Sequence, residues 1–253
     1  MTRRFARRTG GGFRSARSSV AGSGASPALT PVTQARGRFI TLEGGEGAGK
    51  SVQARRLKER LAALGLAVVG TREPGGSAGA EALREAILSG FAAGFSPAGQ
   101  AFLFAAARTD HLEKTILPAL EGGAWVVCDR FADSTRAYQG AAGNLPEEFI
   151  ASLERLTVGA NLPDLTLILD IPAETGLARA AERRRTRPAD RFESEGLSFH
   201  ETLRQAFLAI ASAEPWRCVV VDAERSEDEV AAAIWAAVEA RLDPVGALKA
   251  KPA

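Results

Sequence analysis

From Arg38 onward the chain alternates short unbroken apolar runs with longer stretches whose apolar residues recur at helical spacing. The runs at 39–42, 67–69, 125–128, 165–169 and 218–221 read as continuous buried strands of a parallel sheet. Between them, Leu57, Leu61 and Leu64 repeat at i, i+4, i+7, and Ala82, Leu83, Ala86 and Ile87 form a similar stripe after Ser77. Ser96-Pro97 opens a stretch predicted to be helical to about Leu120, an N-cap followed by proline at the first position. Helices are also predicted over 146–158, 173–185, 198–213 and 226–241. Strand alternating with helix specifies an α/β doubly wound sheet, with ligands outside the carboxyl ends of the strands. No internal repeat interrupts the pattern.

The first 36 residues break it. They are rich in Arg, Ser, Gly and Ala and have no apolar period, so they cannot bury enough surface to offset chain entropy, and disorder is expected. Arg-rich, acid-poor composition also suits a transit peptide, but Gly10, Gly11 and Gly12 oppose the amphipathic helix that such a peptide needs. A start called too far upstream is a third reading, with a true start at a non-Met codon such as that of Val32. The expected organisation is an extension at 1–36, one domain at 37–242 and a C-terminal tail at 243–253. Composition changes little else: 253 residues, 45% hydrophobic and 25% charged, are ordinary for a globular chain, and no apolar stretch is long enough to span a membrane. Residues 1–37 hold seven arginines and no acid, so the formal +2 leaves −5 for the rest, and the basic balance does not argue for a nucleic-acid-binding fold. Cys128 and Cys218 sit in strand-like runs and read as buried free thiols of a reducing, cytoplasmic compartment. Neither His111 nor His200 is near a cysteine, so no Cys/His metal spacing exists.

Chemistry enters between the first strand and the first helix. Gly44-Gly45-Glu46-Gly47-Ala48-Gly49-Lys50-Ser51, followed by Val52, matches GxxxxGK[ST] in the strand-loop-helix context that this phosphate loop requires. Glycines let successive N–H groups point at phosphate oxygens, and the helix start adds a favourable dipole. Lys50 places a cation between β- and γ-phosphates, and the Ser51 hydroxyl can ligate Mg²⁺. A GTPase is disfavoured, since neither Asn144 nor Asn161 starts an NKxD and no Asp-x-x-Gly follows a strand. A small-molecule kinase and an ATP-driven regulator remain, the latter using the Arg-rich extension to anchor on DNA.

Other motifs narrow the choice. Thr71-Arg72-Glu73-Pro74-Gly75-Gly76 follows the second strand, where Arg72 could hold a phosphate or be a surface side chain of a turn. Phe104 and Arg108, four apart, share a helix face; alone, Phe104 reads as core. Asp129-Arg130 ends a buried strand and reads either as a strand-terminal ion pair or as charges facing a site. The run from Arg183 to Glu193, between two predicted helices, reads by itself as a solvated face.

Together with Ala137-Tyr138-Gln139-Gly140 and Pro163-Asp164-Leu165 leading into Leu169-Asp170, these motifs resemble the thymidylate kinases from about Arg38 to Leu242. The resemblance implies a P-loop NTPase fold of the nucleoside-monophosphate kinase type, a three-layer α/β/α sandwich around a five-stranded parallel sheet with a short lid. It implies ATP with Mg²⁺ and dTMP as substrates, dTDP as product, and a homodimer formed through the long helices. It places Arg72, Pro74, Phe104, Arg108, Arg130, Ser134, Thr135, Tyr138 and Gln139 around dTMP. Phe104 stacks on thymine, Arg108 reads a base carbonyl, and Tyr138 leaves no room for a 2′-hydroxyl. Arg130 binds the dTMP phosphate, and Asp129 orients the acceptor or the Mg²⁺ shell. Glu73-Pro74 is a candidate cis peptide. Some relatives carry an arginine inside the phosphate loop; here Glu46 and Gly47 stand instead, so the catalytic cation comes from the lid. Arg191 is the leading choice, with Arg184 and Arg187 open, and Glu46 lies near the sugar 3′-hydroxyl and the metal.

Overall fold

A computed structural model describes residues 35–184, 192 and 194–249, all within a unit spanning Gln34–Ala253. The expected disordered extension, apart from Ala35 and Arg36, and the lid positions Arg187 and Arg191 lie outside the described residues.

Each apolar run becomes a strand: β1 (Phe39–Glu43), β2 (Val68–Arg72), β3 (Trp125–Asp129), β4 (Leu165–Asp170) and β5 (Cys218–Asp222). All pair in parallel in the order β2-β3-β1-β4-β5. β1, β3 and β4 are buried through their apolar lengths, as a central parallel strand must be when helices cover both faces. β2 departs from the expectation. It starts later, runs through Thr71 and Arg72, and is half-exposed because only β3 lies beside it.

The helices are α1 (Lys50–Ala63), α2 (Ala78–Leu88), α3 (Pro97–His111), α4 (Leu117–Glu121), α5 (Ala132–Thr135), α6 (Glu147–Thr157), α7 (Ala173–Arg184), α8 (Leu197–Ala213), α9 (Glu227–Leu242) and α10 (Pro244–Lys249). Ser96 caps α3 by accepting from the Gly99 N–H, with Pro97 at the first position. The stretch expected to be one helix to Leu120 is α3 and α4 joined by a π-turn at Leu112–Ile116. A second π-turn, Arg136–Ala141, follows α5 and re-aims the short helical segment expected around Tyr138. The expected tail carries α10, whose Ala247 and Leu248 pack on the core.

Alternation along the strands builds three layers. Ile40, Leu42, Leu165 and Leu167 face Leu57 and Leu61 of α1 and Ile234 and Val238 of α9. Phe39, Val126 and Cys128 face the other way, onto Leu112, Ile116 and Leu120, and Ile168 meets Leu203 and Phe207 of α8. Each such side chain contributes about 1.5–3 kcal/mol by leaving water, which fixes the sheet as the rigid base from which the carboxyl-end loops project.

Candidate active site

The loop between β1 and α1 turns back over the sheet's carboxyl edge. Gly47 has φ 68°, and a Cβ there would stand 1.9 Å from the Gly176 carbonyl oxygen, so both conformation and space demand glycine. Gly49 heads α1, and the turn aims the Lys50 Nζ inward, donating to the Gly45 carbonyl at 2.6 Å. Lys50 is buried, and burial with the nearby Arg130 cation pulls it down to about 8 against the carboxylates of Glu46, Asp129 and Glu43.

Asp129 and Arg130 leave the end of β3 on the same edge. The Ser51 Oγ donates to Asp129 Oδ2, so the first hydroxyl of α1 and the strand-end carboxylate form one oxygen pair. Among the described residues no cluster of three or more His, Cys, Asp and Glu could hold an ion by itself. This donor set fits Mg²⁺, which keeps most of its waters and takes one or two protein oxygens beside those of phosphates.

Arg130 adopts a left-handed backbone, φ 69°, rare for a side chain with a Cβ and worth about 1–3 kcal/mol of strain. Its Nη1 donates to the Gly44 carbonyl (3.2 Å) and Ser134 Oγ (3.3 Å), and its Nη2 to Glu46 Oε1 (2.7 Å) and Tyr138 Oη (3.0 Å). Burial opposes its charge, but Tyr138, Glu46, Asp129 and Glu43 carry it above the ordinary guanidinium range. Burial also opposes the charge of Glu46, yet Arg130, Lys50 and the Tyr138 hydroxyl, which donates at 2.7 Å, hold that carboxyl down at about 2.

A cleft of about 360 Å³ joins these groups to the other predicted contacts. Its walls include Lys50, Ser51, Val52, Glu46, Gly47 and Gly49 from the phosphate loop and Asp129 with Arg130 from β3. Phe104 and Arg108 of α3 line the same cleft, with Pro74 and Arg72. Ser134, Thr135, Tyr138 and Gln139 close one side. Gly44, Gly45 and Ala48 stand behind the wall, the first two offering carbonyls to Arg130 and Lys50, the third buried in the core. The Glu73–Pro74 peptide is cis. Arg72 is half-exposed and bound by both Glu81 oxygens, at 3.1 and 3.0 Å. Phe192 packs edge-on against Tyr138 at 5.1 Å and lies 6.4 Å from Phe104.

Sequence reading missed the second ring of charges. Glu43, the last residue of β1, is fully buried and accepts from the Phe131 N–H (2.7 Å) and from Ser134 Oγ (2.6 Å), tying the Arg130 loop to the sheet. Burial and the Asp133 carboxylate push it up to about 7. Its signal was available: an acid ending a buried strand, as at Asp129. Arg84 of α2 lines the cleft and donates to the Pro74 carbonyl at 2.6 Å, with no mark in the sequence beyond a helical arginine.

A phosphate loop, a metal-suited oxygen pair and, in the same cleft, the aromatic Phe104 beside the buried Arg108, all above one parallel sheet, define a P-loop kinase of small phosphorylated acceptors. The comparisons narrow that class. The family model described as Thymidylate kinase matches residues 42–234. The thymidylate kinase of Bradyrhizobium diazoefficiens is 53% identical over 212 residues, covering 84% of this chain and 93% of the relative. That of Caulobacter vibrioides is 57% identical over 207 residues, covering 82% and 98%. The crystal structure of thymidylate kinase from Ehrlichia chaffeensis superposes with a TM-score of 0.66 at 30% identity, covering 80% of this chain and 99% of that one. The chain belongs to the thymidylate kinase family.

Proposed function

We propose that this thymidylate kinase binds ATP at residues 44–52 and dTMP in the adjoining cleft, and transfers the γ-phosphoryl group to the dTMP phosphate. A dTMP phosphate oxygen attacks the γ-phosphorus, the bond to the β,γ-bridging oxygen breaks, and dTDP and ADP leave. The acceptor is already anionic, so no strong base is needed; positioning and charge neutralisation supply the catalysis. The observation that carries the reading is one cleft lined both by Lys50 and Ser51 of the phosphate loop and by Phe104 and Arg108 of α3.

Lys50, with its ammonium inside the loop, neutralises the β- and γ-phosphates. Ser51 and Asp129 would hold Mg²⁺, which supplies Lewis-acid charge to the phosphate oxygens when bound. Arg130 takes the dTMP phosphate, sharing its guanidinium with Glu46, and Glu46 is placed to meet the sugar 3′-hydroxyl. Phe104 stacks on thymine and Arg108 donates to its carbonyl. Tyr138, beside Arg130, packs on the deoxyribose and excludes a 2′-hydroxyl, with Ser134, Thr135 and Gln139 completing that wall. Arg72 and Pro74 bound the phosphate end. Arg191 supplies the lid cation, because the phosphate loop carries Glu46 and Gly47 where an arginine would otherwise serve. The enzyme acts as a homodimer in the cytoplasm; the free, buried thiols of Cys128 and Cys218 suit a reducing compartment.

The test is ADP formation by the purified chain with ATP·Mg²⁺ and, in turn, dTMP, dUMP, dCMP, AMP and thymidine. Turnover strongly favouring dTMP is expected. ADP release indifferent to the acceptor would instead mark an ATPase.

A further inference from the structure

The Thr-Arg-Glu-Pro-Gly-Gly segment does more than line the cleft. Glu73 is buried, and its two oxygens face α3: Oε2 accepts from Arg108 Nε at 2.8 Å, and Oε1 lies 3.1 Å from His111 Nδ1. His111, fully buried and one turn beyond Arg108 on the same face, has Nε2 at 2.7 Å from the Thr71 hydroxyl. In the neutral ring, Nδ1–H must donate to the carboxylate, which leaves Nε2 to accept from Thr71. Gly76 closes the cluster: at φ 89°, a Cβ there would lie 2.3 Å from His111 Nε2 and 2.4 Å from Thr71 Oγ1. Arg108 Nη2 is also committed, to the Phe131 carbonyl (3.2 Å) and Thr135 Oγ1 (3.0 Å). Nη1 is the guanidinium nitrogen without a hydrogen bond among the described residues, and Arg108 lines the cleft.

We infer that Glu73 and His111 are positioning residues for nucleobase selection, locking Arg108 so that Nη1 alone is offered to the pyrimidine. The inference rests on the proposed role of Arg108 as reader of the base carbonyl. A free arginine could rotate or withdraw its fork and meet cytosine's amino group without a clash of donors. One held at Nε and Nη2 presents a donor in one direction only, and selectivity follows from that rigidity. A glutamine at 73 can accept from Arg108 or from His111 but not well from both.

The experiment compares steady-state kinetics on dTMP and dCMP for the full chain and for Glu73→Gln, His111→Leu, His111→Asn and Arg108→Ala, each checked for cooperative melting. Glu73→Gln and His111→Leu are expected to raise the KM for dTMP about tenfold, with kcat and the KM for ATP within about twofold. Their kcat/KM preference for dTMP over dCMP should narrow toward that of Arg108→Ala. His111→Asn, which can place an N–H where Nδ1 stands, should recover most of the preference. Full preference in folded Glu73→Gln and His111→Leu, alongside its loss in Arg108→Ala, overturns the inference and leaves the base reading intact. Full preference in Arg108→Ala removes both. Should Glu73→Gln not fold, the His111→Leu and His111→Asn pair decides.

Discussion

Lys50 stands between opposing influences: burial and Arg130 discharge it, while Glu46, Asp129 and Glu43 favour its cation. Bound phosphates add to the second group, so the ammonium is fully charged where it is needed. Lys50→Ala should lower kcat roughly 10²–10³-fold, as loss of one preorganised charge donor does, with little change in the KM for dTMP; a coupled ADP assay measures both. Glu43 gives a pH prediction. Its folded value of about 7 lies above its ordinary 4.5, so the stabilisation it contributes is complete below the lower value and is lost as pH rises through the higher one. Glu43→Gln removes that titration. Relative to wild type, the variant's melting temperature should therefore rise between about pH 5 and pH 8, by the equivalent of about 3 kcal/mol at most. Parallel melting curves across the window would refute it. At this scale the sequence was most legible where a residue type has one use: Lys50 and Ser51 follow from the phosphate loop, whereas spacing put Phe104 and Arg108 on one helix face and only the family resemblance placed them at the nucleobase. The partners of Glu43 and Glu73 were not legible, because they lie far along the chain: Ser134 for Glu43, Arg108 and His111 for Glu73.

At the scale of elements, α5 and the π-turn after it carry much of the dTMP wall, and a buried ion pair pins them. Arg217, just before β5 and 1% exposed, binds both Asp133 oxygens at 2.7 and 2.8 Å and also donates to Thr166 Oγ1 at 2.8 Å. Asp133 is the second residue of α5, so the start of β5 holds the helix that presents Ser134 and Thr135. Arg217→Ala leaves the buried Asp133 with only the partly exposed Arg136 as a charged partner, and a loss of about 3–5 kcal/mol in chemical denaturation is expected. A loss under about 1 kcal/mol would mean that Arg136, 3.1 Å from Asp133, suffices as its partner. The apolar runs announced strands because central parallel strands need apolar side chains on both faces. They misjudged β2 and β5, whose positions at the two edges are facts about the sheet rather than about the segments.

At the scale of the molecule, α3 and α6 leave apolar surface outward: Phe102 is 56% and Leu156 84% exposed, and Phe102 packs edge-on against Phe149 at 5.6 Å. Large exposed apolar groups on adjacent helices suit a contact between copies. Light scattering should therefore report twice the chain mass for wild type and one chain mass for a Phe102→Asp, Leu156→Asp variant of unchanged helicity. A wild-type monomer would end the homodimer proposal. The sequence by itself determined the α/β alternation and the phosphate loop, since periodicity and glycine conformation act within a few residues of chain, and its motifs carried the family resemblance that named the other cleft residues. Only the tertiary structure decided the strand order β2-β3-β1-β4-β5 and the buried charges behind the site. Those pairs join residues about 35 to 90 positions apart, and no local pattern records which distant charge will share a dry interior.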